Sequence, residues 1–255
     1  MVEIIPAILS RTAADYHKKF KAVEPFVDWI QVDIVDGRFA PNRTIGPEAI
    51  KPFLTSKKLE IHLMVKFIED WVDRFIKIPA VKRIIFPIET AAEPIKLITH
   101  LRHHNIEAGA ALNPDTPVEK LRHIIGYLDM VLLLSVYPGF QGQHFVHNIF
   151  KKIIQVREMR PDITIEVDGG IEPGTARKCA EVGANVLAAG SFIFEHARKG
   201  ASGSIFGNAK MSTSGRFTST ESGYKIEGET YQERIKNALE ILKADVEGAV
   251  STLEG

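Results

Sequence analysis

The residue types able to do chemistry fall at the ends of four short stretches. These are Pro6-Ala7-Ile8-Leu9-Ser10, Gln31-Val32-Asp33-Ile34-Val35-Asp36-Gly37, His62-Leu63-Met64-Val65 and Glu166-Val167-Asp168-Gly169-Gly170. Each is a run of strand-forming residues closed by a polar residue or glycine. Residues i and i+2 of a strand share a face, so Gln31, Asp33 and Val35 point one way while Ile30, Val32 and Ile34 point the other. By the same rule His62 and Met64 oppose Ile61, Leu63 and Val65. Two carboxylates (Asp33, Asp168) and an imidazole (His62) from separate strands could form an acid/base pair and a divalent-cation site. A lone histidine at a strand end is ordinarily structural, and it is the company of the two aspartates that gives His62 a functional reading. Asp36, followed by Gly37, reads as a turn residue.

A second set of residues suits an anion. Gly169-Gly170 follow Asp168, Gly190-Ser191 follow another apolar run, and Ser135-Val136-Tyr137-Pro138-Gly139-Phe140-Gln141-Gly142-Gln143 follow a third. Glycine turns of this kind let backbone N–H groups approach a phosphate closely.

The elements that must carry these residues alternate. Apolar, β-rich segments at 3–10, 28–33, 59–65, 81–88, 107–113, 129–136, 164–168 and 185–189 are predicted strands. Helical stretches are predicted at 14–23, 68–78, 95–104, 118–127, 149–159, 175–182 and 232–246. Phe67, Trp71, Phe75 and Ile78 recur at helical spacing, as do Ile235, Leu239 and Leu242. Eight βα units with strands buried on both faces predict a closed (β/α)8 TIM barrel, with residues 1–255 as a single domain. An open doubly wound sheet is disfavoured because no Gly-x-Gly-x-x-Gly follows the first strand. Residues 195–230 interrupt the rhythm, and 216–220 against 224–226 around Glu221-Ser222-Gly223 read as a short hairpin. Leaving from the C-terminal face and rich in Arg and Lys, this insertion is expected to serve as a lid or a subunit contact.

Composition sets outer bounds. The chain has 255 residues, 45% hydrophobic and 25% charged, an ordinary soluble profile. Lysine plus arginine (32) equals aspartate plus glutamate (32), so no net field favours nucleic acid or an acidic membrane. A phosphate must therefore be held by local geometry. The single Cys179, inside a predicted helix, fits a reducing compartment and a buried apolar role. With no signal-peptide pattern and no membrane-length apolar run, a cytoplasmic location is expected.

At these motifs, joined by residues 41–47, 112–117 and 189–191, the chain resembles the ribulose-5-phosphate 3-epimerase family. The likeness covers about the first 195 residues and the last helix. It implies a ribulose-phosphate-binding barrel, probed by a phosphorylated ketose substrate and assembled from identical subunits. It also implies Asp33 and Asp168 as paired acid and base, acting through an enediolate that links D-ribulose 5-phosphate and D-xylulose 5-phosphate. The same two aspartates and His62 would ligate a divalent cation (Zn, Fe, Mn or Co). Ser10, His62, Met64, Gly139, Phe140, Gln141, Gly142, Gly169, Gly170, Gly190 and Ser191 would contact substrate.

Several positions depart from the family pattern. Gln31 stands where a ligand histidine is usual, so either its amide oxygen is a weaker fourth ligand or its NH2 group donates to the enediolate with no metal. Val35 and Leu134 replace methionines, Pro87 replaces the histidine of a His-x-Glu pair that keeps Glu89, and Gln141 replaces a glycine. The alternatives are an epimerase of another ketose phosphate, such as allulose 6-phosphate, or an inactive sugar-phosphate-binding relative. A decarboxylase or aldolase with an Asp-x-Lys-x-x-Asp motif is disfavoured, since Asp33-Ile34-Val35-Asp36 contains no lysine.

Overall fold

The computed structural model describes residues 2–52, 55–139, 145–199, 210–211, 217–218 and 226–253. Strands β1 (Glu3–Ile8), β2 (Trp29–Val35), β3 (Lys58–Met64), β4 (Val81–Pro87), β5 (Glu107–Leu112), β6 (Met130–Leu134), β7 (Thr164–Asp168) and β8 (Val186–Ala189) pair in sequence order. β8 returns to β1 in parallel, from Glu3 opposite Val186 to Pro6 opposite Ala189, and closes the barrel. Around it lie α1 (Ala13–Val23), α2 (Pro47–Ile50), α3 (Ile68–Phe75), α4 (Pro94–His103), α5 (Ile149–Met159), α6 (Thr175–Glu181), α7 (Ser191–Lys199) and α8 (Tyr231–Leu253). Among the described residues no helix is long and apolar enough to cross a membrane.

Strand alternation divides the chain's apolar residues between two layers. Ile30, Val32 and Ile34 of β2, with Ile61 and Leu63 of β3, join the large cluster packed under the helices. A smaller cluster fills part of the interior with Ile5, Ala7, Ile85, Ala111, Met130, Leu132, Leu134, Val186 and Ala188. The rest of the interior is polar. Gln31, Glu60, His62 and Glu166 are fully buried there.

Three elements differ from the sequence expectation. Residues 118–127 form two 3-10 turns, Val118–Leu121 and Ile125–Tyr127, instead of an α-helix. Val118, Leu121 and Ile124 lie at the three-residue period of the tighter helix, with Ile125 buried beside them, and Gly126 weakens any α continuation. On α3 the buried row is Ile68, Val72 and Phe75, while Phe67 is 50% exposed. The helix turns this row to the sheet, leaving Phe67 under the cations of Arg38 and Lys66. The insertion begins later than expected, since residues 195–199 continue α7. Within it, β9 (Lys210–Met211) pairs antiparallel with β10 (Phe217–Thr218). The turn and second arm of the hairpin expected at 216–226 lie almost wholly outside the described residues.

The β2 and β3 loops are joined by one side chain. Asp36 accepts hydrogen bonds from the backbone N–H groups of Arg38 and Phe39, both at 2.8 Å, and from that of Lys66 at 2.9 Å. Burial opposes ionisation of Asp36, but the three N–H donors outweigh it and hold the carboxyl below its ordinary pKa. A depressed carboxyl stabilises the fold above its unfolded pKa and loses that contribution as pH falls through the folded value. Asp36→Ala is therefore expected to cost about 1–2 kcal/mol near neutral pH. In urea titrations the difference from wild type should shrink below about pH 4. An equal difference at both pH values would refute the ionised-cap account.

Candidate active site

β2 delivers Gln31 and Asp33 to the barrel interior, and the parallel register sets Asp33 beside His62 of β3. Asp168 reaches them from β7, two strands beyond β1 around the barrel. The strands between carry only small side chains at this level, with Ala7 on β1 and Ala188 on β8. That leaves room for two acidic groups to meet across the interior.

Four atoms there form a closed ring. Gln31 Nε2 donates to Asp33 Oδ1 at 2.7 Å and to Asp168 Oδ2 at 2.9 Å. His62 Nδ1 lies 3.2 Å from the same Asp33 oxygen and 3.3 Å from the same Asp168 oxygen. Burial raises the Asp33 pKa, and the negative charge of Asp168 raises it further, against hydrogen bonds from His62 and Gln31. Burial disfavours charge on His62, but its bonds to Asp168 and Asp33 dominate and lift its pKa to about 10. Ligand atoms of Asp33, His62 and Asp168 all lie within 4.8 Å of one another. One imidazole and two carboxylates at this spacing fit a divalent transition-metal ion.

Backbone contacts fix the two aspartates. Thr44 Oγ1 donates to the Asp33 carbonyl at 2.8 Å and accepts from Val35 N at 2.9 Å. Ser135 donates its backbone N–H to the Asp168 carbonyl at 2.9 Å and its hydroxyl to the same oxygen at 3.0 Å.

One layer below, Glu60 and Glu166 stand at i−2 from His62 and Asp168. Burial, then the charge of Glu60, push the Glu166 carboxyl well above the usual range. A protonated Glu166 can donate to Glu60, a bond that two ionised carboxylates could not make. Arg83 neutralises Glu60 through Nη1 at 2.5 Å and Glu107 through Nη2 at 2.6 Å, with its guanidinium 4.3 Å from the Trp29 ring centre.

Above the ring a pocket opens between Asp33, Met64, Leu134, Gly139, Asp168, Gly169, Gly170, Gly190 and Ser191, with Ala7 and Leu9 on its wall. Most of the expected contact residues thus converge. Gly169 (φ +105°) could not be replaced, since a Cβ would sit 2.4 Å from Val136 Cγ2. Gly139 holds its place through its carbonyl, which accepts from Asn42 Nδ2 at 2.6 Å. Ser10 is not on this wall. It is 1% exposed and donates its hydroxyl to Asp15 at 2.7 Å, and Leu9 lines the pocket in its stead. Glu89 is also turned elsewhere, accepting from Asn113 N at 2.9 Å and from the Thr116 hydroxyl. Phe140, Gln141 and Gly142 lie outside the described residues. The Glu60–Glu166–Arg83 layer escaped sequence reading, although its signal was present. Polar residues recur at i and i+2 on three strands (Gln31/Asp33, Glu60/His62, Glu166/Asp168), which marks a polar interior two layers deep.

Residues 3–194 match the model of the ribulose-phosphate 3 epimerase family. The chain is 40% identical over 203 residues to ribulose-phosphate 3-epimerase of Synechocystis, covering 76% of this chain and 87% of that one. To the Bacillus subtilis protein of the same name it is 38% identical over 205 residues, covering 76% and 93%. To the chloroplastic ribulose-5-phosphate-3-epimerase of Arabidopsis thaliana it is 39% identical over 200 residues, covering 75% and 71%. Among solved structures, 3-hexulose-6-phosphate synthase from Salmonella typhimurium superposes with a TM-score of 0.61 at 15% identity, covering 97% of this chain and 100% of that one. Tryptophan synthase from M. tuberculosis gives 0.61 at 14%, covering 96% and 92%. These two likenesses concern the barrel fold alone.

Removing one partner of a buried ion pair strands the other charge. Arg83→Met is therefore expected to lower the unfolding free energy by about 3–5 kcal/mol. Adding Glu60→Gln should recover much of the loss, because the stranded charge is then gone. Urea denaturation checks both, and a double variant no more stable than Arg83→Met would contradict the pairing.

Proposed function

Because the chain belongs to the ribulose-phosphate 3-epimerase family, and is thus an isomerase, we propose that it interconverts D-ribulose 5-phosphate and D-xylulose 5-phosphate at the Asp33–Asp168 pair. The observation that carries this reading is the meeting of two carboxylates from separate strands at the floor of a pocket walled by glycine turns. Inverting the carbon next to a ketone requires a proton to leave on one face and another to arrive on the opposite face. One aspartate, ionised, takes the C3 proton as the C2 carbonyl gathers electrons and becomes an enediolate. The other, protonated, gives its proton to C3 from the far side, and the roles exchange in the reverse direction. The raised pKa of Asp33 supports a pair that keeps one proton between its two members.

Asp33, His62 and Asp168 would hold a divalent cation, with the Gln31 amide oxygen as a fourth ligand. When bound, such an ion supplies a Lewis acid for the negative charge developing on the substrate oxygens. The substrate phosphate belongs at Gly169-Gly170, Gly190-Ser191 and the loop 139–142, where the start of α7 adds its partial positive charge. Met64 would pack against the carbon chain, while Ser10 would reach substrate only after release from Asp15.

Asp33→Asn and Asp168→Asn are each expected to lower turnover of ribulose 5-phosphate by about 10²–10⁴-fold. Near-wild-type turnover in either variant would remove that residue from the proton transfers. Exhaustive chelation should also depress turnover, with recovery on adding zinc or manganese. Full activity in protein shown by elemental analysis to be metal-free would take the cation out of the reaction.

A further inference from the structure

Gln31 is fully buried, and its two polar atoms have opposite circumstances. Nε2 donates to both catalytic-pair carboxylates, whereas Oε1 has no hydrogen-bond partner. This orientation follows from chemistry, because the two carboxylate oxygens are acceptors and only the NH2 end of an amide can satisfy them. The four edges of the ring through Gln31 Nε2, Asp33 Oδ1, His62 Nδ1 and Asp168 Oδ2 measure 2.7, 3.2, 3.3 and 2.9 Å. Around an ion with ligands at about 2.0–2.2 Å, neighbouring ligand atoms stand about 3.0–3.5 Å apart. The ring therefore has nearly the dimensions of a coordination shell, but the Gln31 corner is an amide N–H, which, unlike the His62 nitrogen, has no lone pair to give on losing a proton.

From this geometry, and resting on the cation site proposed above, we infer that Gln31 is a reversible stand-in for the metal ion. In metal-free protein its NH2 group bridges Asp33 and Asp168, supplying the positive end of a dipole where a cation would otherwise sit. On loading, the amide turns over about its last side-chain torsion, which is broad and roughly two-fold, and presents Oε1 at the same corner. Turning costs Nε2 its two hydrogen bonds, which the ion replaces at the carboxylates, while Oε1 gives up none when it leaves its present place. Leucine could neither bridge nor ligate, and glutamate would add a third buried carboxylate to the two already there. A glutamine makes the site self-sufficient when empty and able to accept an ion when one arrives.

The test uses the full chain, stripped of metal, and zinc ion as the probe. Gln31→Leu is expected to lower the thermal midpoint of the metal-free protein by about 5 °C. The gap should narrow in saturating zinc, because the ion then bridges the carboxylates itself. In ¹H–¹⁵N spectra the Gln31 side-chain NH2 pair, assigned by its loss in Gln31→Leu, should shift when zinc binds. Asp168→Asn locates the zinc site by abolishing tight binding. If zinc binds through Asp168 and the NH2 pair does not move, the turnover of the amide is refuted while the cation site stands. A metal-free Gln31→Leu as stable as wild type refutes the bridge. If zinc does not bind wild type, the cation site and the switch fall together.

Discussion

The interior of a closed eight-stranded barrel is shut off from water on every side but its mouth, and here that interior contains ionisable groups. Asp33, Glu60, His62, Glu166 and Asp168 are all buried or nearly so. Each would be costly alone and charged, so each needs a partner or must stay neutral. Glu60 has Arg83, Glu166 keeps its proton, and the two aspartates share the donors of His62 and Gln31. The geometry of the upper ring is thus set by the same requirement that keeps the fold intact. A group that must be satisfied in the folded protein is already close to where chemistry needs it.

This arrangement depends on an uneven filling of the barrel. β5, β6 and β8 supply the apolar interior residues Ala111, Leu132, Leu134 and Ala188. β2, β3 and β7 supply the polar ones, with apolar β8 between β7 and β1. Small residues at Ala7 and Ala188 separate Asp33 from Asp168 by space and not by bulk. Larger residues at either position would intrude on the meeting of Asp33 and Asp168 across the barrel. The cluster of Val35, Ala40 and Met64 with Phe39 then closes one flank of the mouth with apolar surface. Charge is confined to the floor and the anion-facing backbone to the opposite rim.

The mouth is built by restraint of loops more than by side-chain chemistry. Asp36 ties the β2 loop to the β3 loop, Asn42 ties it to Gly139, and Ser135 ties β6 to the end of β7. These contacts link the loops after β2, β3, β6 and β7 to one another. They leave the glycine backbones at 169 and 170, both in the left-handed region, facing a cavity with little side-chain cover. A proton shuttle between two faces of a small sugar needs just such a rigid frame, since an ångström of drift at either carboxylate would spoil one of the two transfers.

Alternation of apolar and polar residues by itself determined the barrel and the side on which Gln31, Asp33, His62 and Asp168 would lie. A two-residue period leaves one choice of face once the helix-facing set is recognised. The bounds of most helices followed likewise from spacing, because one residue type per face is enough to place a helix. Periodicity failed at residues 118–127, where a three-residue repeat mimics a helical one, and at Phe67, whose ring fits a helical row yet faces solvent. What only the tertiary structure decided is which atoms meet. Asp168 reaches Gln31 because barrel closure brings β7 around to β2, a separation of 137 residues that no local pattern encodes. The turn of Ser10 toward Asp15 and of the Gln31 NH2 toward two carboxylates belongs to the same class, since a side chain's partner is fixed by packing in three dimensions and its identity alone leaves that choice open.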